Sequence, residues 1–155
     1  MRLFLLPALL TAMCSGGDPE SAIGIWKTNP ARSTLSGGAQ PSSFTVRIEP
    51  HVKGEVFTLD RTERDGRTTS SSSILYLDGT PRNFEDHECS GTQTSRRVDG
   101  QTVELLRKCG NREWTWLVRR TSAKVNELVL EVTGRDADGR RIEWRLVLEK
   151  QEVKQ

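Results

Sequence analysis

Apolar and polar residues alternate with a period of two, broken at short intervals by polar turns, along the chain from about residue 23 to residue 150. Successive side chains of a strand point to opposite faces, so this period marks half-buried β-strands. The runs 44–49, 56–61, 68–77 and 114–122 carry it, as do 127–133 and 140–150. Residues 23–28 make a strand at the front, 81–84 a short one, and two more flank Asp99-Gly100. No window of eleven residues carries a helical stripe. Strands at this spacing build a sandwich or a barrel. Short turns keep sequence neighbours together in space, and closure hides the edges that would otherwise pair with other chains. The expected fold is all-β: a single antiparallel up-and-down (meander) β-barrel of about 8–10 strands.

A chain of 155 residues has the length of one domain, with no room for a second catalytic one. Only 34% of it is hydrophobic, which suits a thin β architecture. Four Trp and four Phe with a net charge of +2 argue against disorder. That charge also provides no basic excess to grip nucleic acid.

The first residues are read separately. After Arg2, the eleven residues from Leu3 to Met13 are uncharged and largely apolar, and Cys14-Ser15-Gly16-Gly17-Asp18 follows. One positive charge, a short apolar core and small residues are the layout of a secretory signal, too short to span a bilayer. The stretch from Leu10 to Cys14 also resembles a bacterial lipoprotein signal, in which the cysteine is lipidated and becomes the mature N-terminus. Met13 departs from that pattern, which wants Gly, Ala or Ser before the cysteine. Cleavage near Cys14 to Gly17 without lipidation is the alternative. The expected organisation is an export signal and tether over residues 1–20 and one barrel domain over 21–155, in a periplasmic or extracellular protein.

Export makes the remaining cysteines, Cys89 and Cys109, a candidate disulfide. They lack the spacing and the histidines of a zinc site. Asp99-Gly100 reads as a two-residue type I′ turn. Pairing outward from it sets Val98 against Gln101, so that opposing numbers sum to about 199. The cysteines sum to 198, one residue out of register, and a bulge at Gly91 would bring them opposite.

Gly24-Ile25-Trp26 at the first strand resembles the Gly-x-Trp signature of lipocalins and related calycin barrels. The longer run from Gly24 to Ser33, Gly-Ile-Trp-Lys-Thr-Asn-Pro-Ala-Arg-Ser, resembles the opening of a set of uncharacterised exported bacterial proteins with lipocalin-like barrels. Those proteins also carry repeated Asp-Gly hairpins and end on a Glu-Lys strand, as Glu149-Lys150 does here. The resemblance implies a ligand-carrying barrel. The lipocalin pattern expects a basic side chain of the last strand over the tryptophan. Arg145 lies on the wrong face by alternation, whereas Lys150 shares the parity of Trp144 and either meets Trp26 at the closed end or is a solvated terminal lysine.

Candidate chemistry is sparse. The cluster Glu85-Asp86-His87-Glu88-Cys89 can bring only alternate members together on a strand, and it reads as an exposed acidic loop. The serines 70–73 lack a nucleophile elbow, and His51 sits in a turn. No catalytic constellation and no cofactor or metal motif emerges, so a non-enzyme is expected. Arg96 and Arg120, if both face inward, would make a receptor for a carboxylate or phosphate; otherwise they reach water near strand ends. Trp114, Trp116 and Trp144 share faces with Val118 and Leu146 and supply a large apolar surface. The expected lining is Phe44, Val46, Phe57, Trp114, Trp116, Arg120, Trp144 and Leu146, around a hollow that holds a small lipophilic or amphipathic molecule. Arg47, Glu49, Glu143 and Arg145 should face out. A monomer is expected, with a membrane tether if Cys14 is lipidated. A cell-envelope interaction module with a filled barrel is the alternative, and a calycin-like isomerase or cyclase a third reading.

Overall fold

The computed structural model describes residues 22–110, 114–136 and 138–153; the side chain of Trp114 lies outside the described residues, as do Cys14 and the expected export signal. Eleven strands form one antiparallel sheet: β1 (Gly24–Thr28), β2 (Thr34–Ser36), β3 (Ser43–His51), β4 (Gly54–Thr62), β5 (Thr68–Leu75), β6 (Arg82–Glu85), β7 (Ser90–Arg97), β8 (Thr102–Cys109), β9 (Trp114–Lys124), β10 (Glu127–Arg135) and β11 (Arg141–Lys150). Their spatial order is β5-β4-β3-β1-β11-β10-β9-β8-β7-β6, with β2 also on β11. The first long strand therefore pairs with the last, and the sheet wraps into a nearly closed up-and-down barrel.

Only β2 was unexpected from the alternation. After Thr28 the chain makes one 3-10 turn, Pro30–Arg32, and rejoins the same edge of β11 with Leu35 opposite Trp144. This strap explains why Val147, on the outer face by parity, is buried: Asn29 N donates to its carbonyl at 2.8 Å, and Ser33 Oγ accepts from its amide at 2.9 Å.

The sheet is open along one seam, where β5 faces β6 and β7. Near one end main-chain bonds close the seam: Gly79 N donates to Ser95 O at 2.8 Å, and Asp78 bridges to Arg96. Toward the other end side chains lace it. Gln93 accepts from Ser73 Oγ at 3.1 Å and donates to Ile74 O at 3.3 Å, and Ser71 Oγ donates to Asp86 at 2.8 Å. The serine run is thus the strand beside the seam.

The interior has two halves. Trp26, Ile48, Leu128 and Leu148 are 0–1% exposed and fill the end where β1 begins, which we call the closed end. Burying each aliphatic there contributes about 1.5–3 kcal/mol. Arg47, Glu49, Glu143 and Arg145 are exposed on the outer face. Trp26 and Lys150 stand opposite each other in register, with Lys150 Nζ 5.5 Å from the indole centroid. Gly24 has φ +142°, and a Cβ there would lie 2.8 Å from Lys150 Cε, so only glycine leaves room for this stacking.

Cys89 and Cys109 form a disulfide with Cα atoms 5.0 Å apart, packed against Phe84. Closing this loop of 20 residues contributes about 3 kcal/mol by restricting the unfolded chain. The route to it differs from the hairpin reading. Gly91 lies opposite Cys109 and Arg97 opposite Val103, so opposing numbers sum to 200 and the β7–β8 ladder has no bulge. Gly100 does not take the positive φ of a type I′ turn, whereas Gly66, Gly79 and Gly139 of the other Asp-Gly pairs do. The turn is one residue longer: Val98 N donates to Thr102 O, and the Asp99 carboxylate accepts from Gln101 N and Thr102 N. Gly91 is needed for a different reason, since a Cβ would sit 1.9 Å from Lys108 O.

Candidate functional site

The barrel end opposite Lys150 is its mouth, built from the start of β3, the ends of β4, β8 and β10, the starts of β5, β9 and β11, and the loop of residues 86–89. Inside it lies a cavity of about 80 Å³ lined by Phe44, Phe57, Arg107, Trp116, Trp144 and Leu146, among others. Above it a vestibule of about 680 Å³ shares Arg61, His87, Trp116 and Trp144 with the cavity and adds Asp136 and Arg140 at the rim. Pockets for drug-sized ligands run to about 300–1,000 Å³, so the enclosed part alone takes only a small group while the vestibule takes a larger one.

The aromatic residues explain this division. The Trp144 ring packs against Phe44 at 5.7 Å and edge-on against Trp116 at 5.5 Å, and its Nε1 donates to Gly37 O at 3.4 Å. Trp116 and Trp144 line both the cavity and the vestibule, so the cluster stands between them. A hollow barrel was expected; the enclosed void is only about 80 Å³. Of the expected lining, Phe44, Phe57, Trp116, Trp144 and Leu146 face it. Val46 is 0% exposed in the filled half, and Trp114's side chain lies outside the described residues.

The two arginines considered for a receptor behave differently. Arg120 faces inward, but its Nη1 donates to the Glu55 carboxylate, reached from β4 across the closed half. The chain supplies its own anion there. Arg96 faces out, as its neighbour Thr94 does not share a face with the buried Gln93 and Ser95, and it pairs with Glu104. An inward receptor made of both is therefore overturned.

Arg107 occupies the role instead. It shares the face of Leu105 and Cys109 on β8, and that parity was available in the sequence. Its Nε donates to Gln93 Oε1 at 2.9 Å and its Nη2 to Ser73 Oγ at 3.3 Å, while its Cζ lies 4.1 Å over the Phe84 ring. No carboxylate among the described residues is within ion-pairing distance of it. Burial pushes its pKa down to about 10, only partly offset by the charge of Asp86. A cation held this way at a cavity wall is stabilised by any anion that enters.

Asp86 organises the loop over the mouth. One carboxylate oxygen accepts from the amides of Glu88 and Cys89, each at 2.8 Å, and the other from Ser71 Oγ. Burial pushes the carboxyl up, but the bonds from Ser71, Glu88 and Cys89 and the charge of Arg107 outweigh it and hold the pKa below the usual carboxylate range. A depressed folded pKa gives stability that is present above the unfolded value and lost as pH falls through the folded one. Asp86→Asn should therefore cost stability at neutral pH, with the gap to the parent closing as pH drops below about 4. Urea midpoints across that range would show it, and a gap unchanged in acid would refute it. His87 and Glu88 are exposed at the mouth, and no group of three metal-ligating side chains occurs among the described residues.

A single antiparallel sheet wrapped into a nearly closed barrel, open to an aromatic-lined void at one end, is an up-and-down β-barrel of lipocalin-like fold. No protein-family model and no curated protein sequence matches the chain. Solved structures do. A Schistosoma mansoni fatty acid binding protein in complex with arachidonic acid superposes with a TM-score of 0.57 at 11% identity, covering 88% of this chain and 100% of the other. A redesigned β-barrel matches at 0.49 and 16% identity, covering 92% and 100%. Zebrafish ileal bile acid-binding protein complexed with cholic acid matches at 0.46 and 13% identity, covering 84% and 99%. The likeness to the Schistosoma mansoni protein shows the fold.

Proposed function

We propose that the protein is an exported, non-enzymatic binding protein for a small amphipathic anion. The ligand's charged group enters the cavity at Arg107, and its apolar body lies over Trp116, Trp144 and Ile142 in the vestibule. One observation carries this reading: a guanidinium at the wall of an apolar cavity, held by neutral partners only, in a void that opens to solvent. The solved neighbour with arachidonic acid, itself an amphipathic anion, supports it. The protein works as a monomer in the periplasm or outside the cell, and Cys14, where lipidated, tethers it to a membrane. The cavity of only about 80 Å³ favours a second reading, a filled barrel serving as an envelope interaction module.

Titration with the fluorescent amphipathic anion 1-anilinonaphthalene-8-sulfonate, followed by its own emission and by tryptophan quenching, separates the two. Binding to the parent should weaken about ten- to hundred-fold in Arg107→Gln, the scale of a lost charge-assisted bond of about 1.5–3 kcal/mol. A parent that binds neither this probe nor a fatty carboxylate would leave the filled-barrel module standing.

A further inference from the structure

We propose that the closed end of the barrel is a lipid-facing surface, resting on an anionic bilayer with the mouth directed away from it. Five large apolar side chains are exposed among the described residues: Val52 at 95%, Val98 at 41%, Leu117 at 38%, Val125 at 77% and Val153 at 75%. Four of them sit at one end. Val52 tips the β3–β4 turn, Val98 the β7–β8 turn and Val125 the β9–β10 turn, while Val153 follows β11. Register places these turns together, because Gly24 pairs with Ile48, Trp26 with Lys150, Glu127 with Glu149 and Thr102 with Thr121. The mouth turns are tipped by charge instead, with Arg64 and Asp65 on one and Asp138 on another.

Each of the four valines is adjacent in sequence to a cation: Lys53, Arg97, Lys124 and Lys154. An apolar tip beside a basic side chain fits the boundary of a bilayer, where the tip enters the acyl margin and the cation meets lipid phosphate. Most acids of this end are engaged within the protein. Asp78 pairs with Arg82 and Glu127 with Arg32 and, at 3.8 Å, with Lys124, whose side chain stays exposed, and Asp99 accepts the amides of its own turn. Glu152 beside Val153 and Glu49 on β3 stay exposed.

The described residues also begin here. Ala22 lies at the closed end, its carbonyl accepting from Trp26 Nε1 at 2.9 Å. Seven residues separate it from Cys14, a reach of at most about 30 Å when extended. A lipid on Cys14 would hold this end, and not the mouth, against the membrane. That last step rests on the export reading above; the valine tips and their cations do not.

The test uses the exported chain with Cys14→Ser, so that no lipid anchor contributes. An environment-sensitive fluorophore is attached at Val52→Cys, at Val125→Cys and, on a mouth turn, at Arg64→Cys. Vesicles of phosphatidylcholine with phosphatidylglycerol should shift the labels at 52 and 125 to the blue and leave the label at 64 unchanged. Lys53→Glu combined with Lys124→Glu, both in exposed turns, should weaken partitioning to those vesicles about tenfold or more. Three results would overturn the proposal: a response at 64 in place of 52 and 125, no response at any label, or equal partitioning of the charge-reversed variant. Cross-linking of the tips to a protein without any vesicle response would overturn it too. Arg107→Gln should leave the vesicle response intact, so failure of the ligand reading and failure of this one are distinguishable.

Discussion

Glu55→Ala should destabilise the protein by about 3–5 kcal/mol, because it leaves a guanidinium charged and alone in the filled half of the barrel. Glu55 and Arg120 are each 4% exposed, and they meet from β4 and β9, strands far apart in the sheet order. Arg120 Nε has no hydrogen-bond partner among the described residues, so the Glu55 contact is its main compensation. Arg120→Ala should cost a similar amount by stranding the carboxylate. Removing both charges is a different matter. Glu55→Met with Arg120→Leu exchanges a desolvated pair for apolar packing, and such exchanges are often neutral or stabilising by about 1–4 kcal/mol. Urea unfolding of the two single variants and the double variant measures all three. Singles costing less than about 1 kcal/mol, the scale of an exposed pair, would show that water reaches these groups.

Trp26→Ala should cost about 3–5 kcal/mol, the usual range for truncating a fully buried aromatic. Trp26 is 0% exposed and packs in the cluster with Val46 and Leu148, so its removal opens a cavity that rigid strands cannot close. Trp26→Phe keeps the ring but strands the Ala22 carbonyl, for about 1–3 kcal/mol. Lys150→Ala removes only an exposed cation over the indole, for about 0.5–1 kcal/mol. The order of the three thermal midpoints is the decisive reading. A loss in Lys150→Ala equal to that in Trp26→Ala would mean that the lysine, and not burial of the indole, closes this end.

The strands were legible because a half-buried sheet writes its two faces directly into the sequence. Trp144, Leu146 and Leu148 against Glu143, Arg145 and Glu149 is such a record, and the pairing of Trp26 with Lys150 followed from parity and closure. What local pattern does not encode was harder to read. The three residues of β2 hold one apolar side chain between glycine- and proline-rich stretches, too short for any period to register. The Asp99-Gly100 turn was misjudged by one residue, because an aspartate that caps its own turn looks the same in sequence as a type I′ pair. Arg120 could be assigned inward by parity, but its partner lies 65 residues away, a distance that only the wrapped sheet spans. Arg107 shows the inward parity of Leu105, but the neutral partners that hold it, Gln93 and Ser73, come from other strands that local pattern does not bring together.

The seam between β5 and β6 has a consequence for how the fold is assembled. Written from β6 around to β5, the sheet runs β6-β7-β8-β9-β10-β11-β1-β3-β4-β5, an order in which each strand follows its predecessor except between β11 and β1 and where β2, paired on β11, is passed over between β1 and β3. The architecture is a simple meander opened between β11 and β1 and joined instead across the seam, through the segment between β5 and β6. In the chain as synthesised, the strand made first must therefore wait for the strand made last before the barrel wall is continuous. That closing ladder joins residues more than a hundred positions apart, and loop closure over such spans slows folding. Joining β11 to β1 and opening the chain in the segment 77–81 would leave the closing ladder between strands that are neighbours in the chain.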